Sequence, residues 1–383
     1  MSESGEAPAG SKALVVEDGR ILAYRLFDVG DAIALDVGET CISRARERQR
    51  TRIAPEKGAG LVFATPPLDV PLGPTRLELA GELGSIEASV TARLYEYGAI
   101  SLRYEIPIAA GTDLEAMIPL CDHLYDAPEL DASGRALLAA FLPEIAPAIE
   151  GAHSWQGIET YTVLFVRQLR GDPAPKEVLA SPVLLRLLLG ERSPSPPLSE
   201  LERTDVLQHA QSYYANDLVV VDWNSAFVLE PSGSRAIPDI LEFANSQLLE
   251  LRYYDDSLDA ELGHIYDDFA QARRSPKSLV WSPYGKLARN VLRRIIELTE
   301  STERVDNALK VVGDFYVARI YQGALRRLRI AAWQQSVGEK IRLVEKAYDL
   351  AKGEVEIRRS TVLEVIVIVL IVLELVAAIR GVH

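Results

Sequence analysis

The sequence predicts an α+β head domain followed by long antiparallel coiled-coil helices and one C-terminal transmembrane helix. Three observations carry that expectation. Up to about residue 235, short segments of alternating polarity are mixed with helical periods, without regular βαβ spacing. Beyond Pro231-Ser232-Gly233 the apolar residues recur every three or four positions. The last stretch, VLEVIVIVLIVLELVAAI from Val362 to Ile379, is apolar but for two glutamates.

The first ordered features follow a polar start. MSESGEAPAGSKALVVEDG lacks the charged start and apolar stretch of a signal peptide, so residues 1–12 are expected to be a flexible N-terminus. The α+β domain is expected over 13–235. Ile86, Ala88, Val90, Ala92 and Leu94 alternate, Glu96-Tyr97-Gly98 turns the chain, and Ile100, Leu102, Tyr104 and Ile106 alternate on the return, which predicts a hairpin. Leu114 to Tyr125 and Gly134 to Ile149 read as helices, and Gly157 to Leu169 as a strand. Val178 to Leu189 and Leu198 to Tyr213 are again helical, with the ERSPSPPLSE stretch as a loop between them. Asp217 to Leu229 (DLVVVDWNSAFVL) is the strongest strand signal, because β-branched residues fill its first half.

A helical coiled-coil stalk is expected over 236–359. Leu241, Ala244, Leu248, Leu251, Asp255, Leu258, Leu262, Ile265, Phe269 and Ala272 form a seam with one polar core position, Asp255. A break at 275–285 with two prolines precedes a second run from Val291 to Val312 and a third from Val337 to Val355. The segment 239–268 is strongly acidic and 319–342 basic, which favours antiparallel packing of these rods. Residues 360–380 are expected to be the transmembrane helix and 381–383 a short tail. Eighteen helical residues from Val362 to Ile379 span about 27 Å, close to a hydrocarbon core of about 30 Å. This implies a tail-anchored, single-pass protein with its N-terminal domain cytoplasmic. Glu364 and Glu374 are costly in lipid, which marks them as a possible intramembrane helix–helix contact.

Composition limits the chemistry. A net charge of −14, from 55 acidic and 41 basic residues, argues against broad nonspecific nucleic-acid binding. Cys41 and Cys121 lie in no CxxC or Cys/His spacing, so reduced thiols are expected and structural zinc is not. The five histidines are scattered, and HExxH, GxSxG, GxGxxG and Walker motifs are missing from the sequence. No catalytic residue, cofactor or metal is therefore assigned. Two patterns stand out as alternatives. Arg44, Arg46, Arg48, Arg50 and Arg52 make a local cationic patch able to meet phosphate, RNA or anionic headgroups. Asp255-Asp256-x-x-Asp259 fits the DDxxD spacing that holds magnesium and diphosphate, though no second such motif faces it.

Several segments together resemble the domain of unknown function 155 family, the Rmd/YagE-type proteins. They are Leu94–Ser101 (LYEYGAIS), Asp217–Pro231, Leu241–Asp259, Arg304–Tyr321 and Lys340–Leu350, with the apolar tail last. The resemblance implies a membrane-anchored α+β module with C-terminal helices and no established catalytic residues. Its eukaryotic relatives, linked to sporulation and to organelle translation at a membrane, imply scaffolding. The expected function is thus that of a non-enzymatic, tail-anchored scaffold or interaction protein. Its expected partners are the membrane through Val362–Ile379, a second copy of itself and an unidentified protein. The alternatives are an RNA or ribosome tether through Arg44–Arg52 and a metal-dependent enzyme using Asp255, Asp256 and Asp259.

Overall fold

A computed structural model describes residues 13–42, 49–50, 61–63, 65–191, 199–274, 309–311 and 315–380. Its axis is a 14-residue strand, β1 (Val15–Asp28), which lies in the middle of the main sheet. The other strands are β2 (Ala32–Ile33), β3 (Gln49–Arg50), β4 (Leu61–Phe63), β5 (Leu68–Glu78), β6 (Ser85–Leu94), β7 (Ala99–Pro107) and β8 (Thr112–Asp113). They are followed by β9 (Ile149–Glu150), β10 (Glu159–Leu169), β11 (Leu218–Val221), β12 (Ser225–Leu229) and β13 (Leu309–Val311). The main sheet runs β11-β12-β10-β1-β7-β6-β5-β3, with β8 beside the start of β1. All its pairings are antiparallel except β10 with β12.

The helices are α1 (Leu35–Cys41), α2 (Ile118–Tyr125), α3 (Pro128–Ile145), α4 (Pro175–Ala180), α5 (Pro182–Leu189) and α6 (Glu200–Leu207). Then come α7 (Ala236–Arg274), α8 (Phe315–Arg327) and α9 (Ile330–Arg380). Prolines open α2, α3, α4 and α5, where the missing N–H removes nothing the helix needs. The Ser181 hydroxyl caps α5 and that of Ser199 caps α6. The chain divides into two compact units. One comprises Met1–Glu250 and Arg304–Ala331, the other Leu251–Glu303 and Ala332–His383.

In the first unit the strands bury both faces, and the faces differ in kind. Ala23, Phe27, Ala92, Leu94, Leu102, Ile106, Leu164 and Phe227 point to one side and join Leu124, Phe141, Leu184 and Leu188 of α2, α3 and α5 in an apolar core. Even there Arg25 is fully buried, donating to Asp131 at 2.5 Å and to the carbonyls of Tyr24 and Leu124. Because side chains alternate along a strand, Tyr24, Arg93 and Arg103 point to the opposite side. That side is closed by the first turns of α7 and by α8. Phe243 of α7 sits among Phe63, Tyr95, Tyr97 and Tyr321, with ring centroids 5.2 to 6.4 Å away. Tyr97 shares a 2.6 Å hydrogen bond with Ser246, and Tyr321 donates to Gln247 at 2.5 Å.

Here the expected coiled coil gives way. From Ile237 to Leu251 every residue of α7 is buried, not just a seam of two positions in seven. Four turns of the predicted rod thus form a central helix of the first unit. In the second unit the remainder of α7 and α9 do meet. Lys340 bonds Asp255 and Asp259 at 2.8 and 2.7 Å, and Leu258, Ile265, Val337 and Val344 are buried. Among the described residues the buried apolar positions of the two helices stop at Ile265 and Val344, so a few turns of pairing replace a long coiled coil. The predicted second run from Val291 and the turns at 275–285 and near Gly313 lie outside the described residues.

The expected transmembrane helix is likewise corrected. Among the described residues, no helix is long and apolar enough to cross a membrane. The membrane-anchored, tail-anchored, single-pass topology, with its cytoplasmic N-terminal domain and membrane partner, falls with the span that required it.

Candidate functional site

The densest group of ionisable side chains lies on the polar side of the sheet, where β6 and β7 meet α7. Arg93 forks onto Asp69 of β5, with Nε to Oδ1 at 2.7 Å and Nη2 to Oδ2 at 2.9 Å. Its Nη1 donates to Asp239 at 2.9 Å and to Glu242 at 2.8 Å, both on α7. Arg103, two strand positions from Glu105, donates to it at 3.1 Å and approaches Glu242 to 3.5 Å. Glu105 also accepts from Arg235 at 2.8 and 3.1 Å and from Arg20 at 3.2 Å. Four arginines thus face four carboxylates, and the charges balance.

Burial dominates the electrostatics. The Glu242 side chain is 0% exposed and that of Arg93 2%. Burial raises the Glu242 carboxyl, while Arg93 and Arg103 pull it back. Burial also opposes the charge on Arg93, but Asp239, Glu242 and Asp69 outweigh it and hold the guanidinium protonated. Burial would raise Glu105 too, yet the hydrogen bond and charge of Arg235 keep it below the usual carboxylate range. Such a network is closed to reactants. What it does is lock α7 onto the sheet in one register.

More open features carry less chemistry. A cleft of about 350 Å³ beside the end of β10 is lined by Asp18, Arg167, Gln168, Asp172, Asn216 and Pro231. Arg167 and Asp18 pair across it at 2.8 Å, and both are well exposed. Cys121 is buried, which pushes its thiol up to about 12 and leaves it a poor nucleophile. Both cysteines are free thiols.

The residues singled out from sequence fare unequally. Arg50 lies on β3, its side chain outside the described ones, and Arg44, Arg46, Arg48 and Arg52 lie outside the described residues altogether. Asp255 is partly buried and bonds the Ser336 hydroxyl at 2.8 Å besides Lys340. The Lys340 ammonium therefore sits between Asp255 and Asp259, where the DDxxD reading would place a metal. Among the described residues no group of three metal-ligating side chains is found. Glu364 is exposed on α9, and the side chain of Glu374 lies outside the described ones. Beside Glu364, Leu363, Val365 to Leu373 and Leu375 are each 49–59% exposed, covering every side of the helix with apolar surface.

The buried network was missed from sequence. Only part of a signal was present: Asp239 and Glu242 stand three apart in the same helix, while Arg93 and Arg103 occupy the polar positions of their alternations, which on their own read as a solvated face. A charged side chain on the inner face of a two-sided strand requires a counter-charge on whatever covers it.

Comparison with known proteins places the chain. The family described as "Uncharacterized protein MJ0711, N-terminal domain" matches residues 18–235. The uncharacterized protein MJ0711 of Methanocaldococcus jannaschii is 23% identical over 224 residues, which make up 58% of this chain and 66% of that protein. The chain therefore spans just under two thirds of that relative's length. No solved structure matches. The resemblance to the domain of unknown function 155 family is overturned by these matches, since short strand and helix segments shared by many mixed folds had carried it. With more than half its length matched, the chain belongs to the family of the MJ0711 N-terminal domain.

Proposed function

We propose that this is a non-enzymatic interaction protein that self-associates through the end of α9. The observation that carries the reading is the run from Leu363 to Leu375, where eleven large apolar side chains remain about half exposed. Contiguous apolar surface of that kind marks a contact site on a folded chain. A helix apolar on every side has no polar face to turn to water, so it is best satisfied inside a bundle of like helices. A second copy supplies an identical helix, and symmetric pairing makes the surface its own complement. The closed charge network supports the non-enzymatic part of the reading, because its ionisable groups serve to hold α7.

Light scattering on the full chain tests this. The wild type is expected to be oligomeric. Ile366→Asp with Leu370→Asp on one side, and Ile368→Asp with Val372→Asp on another, are expected together to yield monomer without changing the thermal unfolding of the α+β unit. A monomeric wild type, or an oligomer that survives all four substitutions, would refute the proposal.

A further inference from the structure

The surface formed by α8 and the two ends of β11 combines exposed arginines with exposed aromatic rings. On α8 the residues packed inward are Tyr316, Val317, Ile320, Tyr321 and Ala324, which leaves Arg319, Gln322 and Arg326 facing out. Arg329, just past the helix, is also exposed. Steps of three and four put Arg319, Gln322 and Arg326 on one stripe, about 10 Å from end to end, and Arg329 follows where the chain leaves the helix with a φ of +54°. Arg327 is spent internally on Asp205 and Asp222. Arg319, Arg326 and Arg329, by contrast, have no carboxylate within ion-pair distance among the described residues.

Aromatic rings flank both ends of this stripe. Tyr213 and Tyr214, 60% and 66% exposed, precede β11 and meet edge to face at 4.8 Å. Tyr213 lies 5.3 Å from Tyr316, whose ring carries the Arg319 guanidinium at 5.8 Å. At the other end of β11, Trp223 is 62% exposed and follows Asp222, the residue that Arg327 grips. The rings are held in place. Asp217 accepts hydrogen bonds from the Tyr213 and Tyr214 backbone N–H groups at 2.8 Å, and Gln211 donates to the Arg319 carbonyl at 3.2 Å.

Large rings left in water, beside unpaired cations, on a chain of net charge −14 make an unusual surface. Its chemistry fits a single-stranded nucleic acid. Phosphates meet the arginines, and splayed bases stack on Tyr213, Tyr214 and Trp223. A folded acidic partner would satisfy the cations but would give the exposed rings nothing to stack on. We propose that this face, Arg319, Arg326 and Arg329 with Tyr213, Tyr214 and Trp223, binds single-stranded nucleic acid without strong sequence preference. The proposal is independent of self-association through α9.

Fluorescence anisotropy of the full chain with a labelled mixed-sequence RNA of about twenty nucleotides tests it. Three phosphate contacts predict a slope of about −2 in log affinity against log salt, so raising salt about fourfold should weaken binding about 20-fold. Arg319→Gln, Arg326→Gln and Arg329→Gln together should remove that salt dependence along with most of the binding. Tyr213→Ala and Trp223→Ala should each weaken it about fivefold or more. All these side chains are exposed, so circular dichroism and the melting temperature should be unchanged. The proposal is overturned if the wild type fails to bind the strand at low salt, or if the triple variant binds as well as wild type. It is equally overturned if inorganic polyphosphate or the duplex of the same sequence is bound as tightly as the strand.

Discussion

Replacing Arg93 by methionine is expected to cost about 3–5 kcal/mol of folding stability, the loss typical of a buried ion pair stripped of one partner. Methionine keeps the length of the stem and removes only the guanidinium. Asp69 then loses a two-pronged partner, and Asp239 and Glu242 lose donors at 2.9 and 2.8 Å. Arg103 cannot take over, since its Nη1 stands 3.9 Å from Asp239 and 3.5 Å from Glu242 and its Nε is engaged by Glu105. Glu242→Gln should be much milder, about 1–2 kcal/mol, because Arg93 retains Asp69 and Asp239 and the buried acid whose carboxyl is already raised is gone. Urea unfolding measures both. Equal losses in the two variants would show that Arg93 is not the hub, and a loss below about 1 kcal/mol for Arg93→Met would remove the network from the stability of the fold.

How far the sequence revealed this network, and the fold around it, depended on what each signal encodes. The hairpin of β6 and β7 was legible because alternation over nine or ten residues has one simple solution. The strand read at Asp217–Leu229 is in fact two, β11 and β12, because Asp222, Trp223 and Asn224 turn the chain between them. The central strand β1 was not singled out. Its sequence, VVEDGRILAYRLFD, mixes charged residues into a strand buried on both faces, so neither alternation nor a continuous apolar run appears.

The steps of three and four in α7 were legible, but a heptad pattern states only that one stripe is apolar. It says nothing about what covers the other sides. The residues that read as the polar sides of a rod, Glu242, Asn245, Ser246 and Glu250, are buried in the first unit. Glu242 finds arginines of the sheet, Ser246 meets Tyr97, and Asn245 turns back to the Leu241 carbonyl at 2.8 Å. Between the acidic and basic helical segments, Lys340 meets Asp255 and Asp259. Towards the start of α7 the sheet supplies the counter-charge instead. Only a tertiary structure distinguishes these two outcomes. The exposed aromatic and arginine face was equally invisible, since Tyr213 and Arg319 are more than a hundred positions apart and both reach Tyr316 only through the packing of α8 beside β11.

Gly98→Ala is expected to be more damaging still, with a loss above about 4 kcal/mol or failure to reach the folded state. Gly98 closes the turn between β6 and β7, where Tyr95 donates to the Ala99 carbonyl at 2.9 Å and Gly98 to the Tyr95 carbonyl at 3.3 Å. Its φ of +100° is a conformation that L side chains rarely adopt. That strain alone would cost about 1–2 kcal/mol. Steric overlap costs more. A Cβ at this position would lie 1.7 Å from the carbonyl oxygen of Gly30 and 2.8 Å from its carbon, and both atoms are backbone. Gly30 cannot retreat freely, because a Cβ on it would itself meet Ile149 at 2.6 Å and the Glu150 carbonyl at 2.8 Å. The close approach is also used: the Val29 N–H donates to the Gly98 carbonyl at 3.2 Å, tying the end of β1 to the turn. Gly81→Ala provides the control. Its φ of +73° is also positive, but a Cβ there would meet nothing within 4 Å, so its loss should be limited to backbone strain of about 1–2 kcal/mol. The gap between the two variants in urea or thermal unfolding isolates the clash. Equal losses would mean that β1 and the β6–β7 turn do not approach as closely as the fold requires.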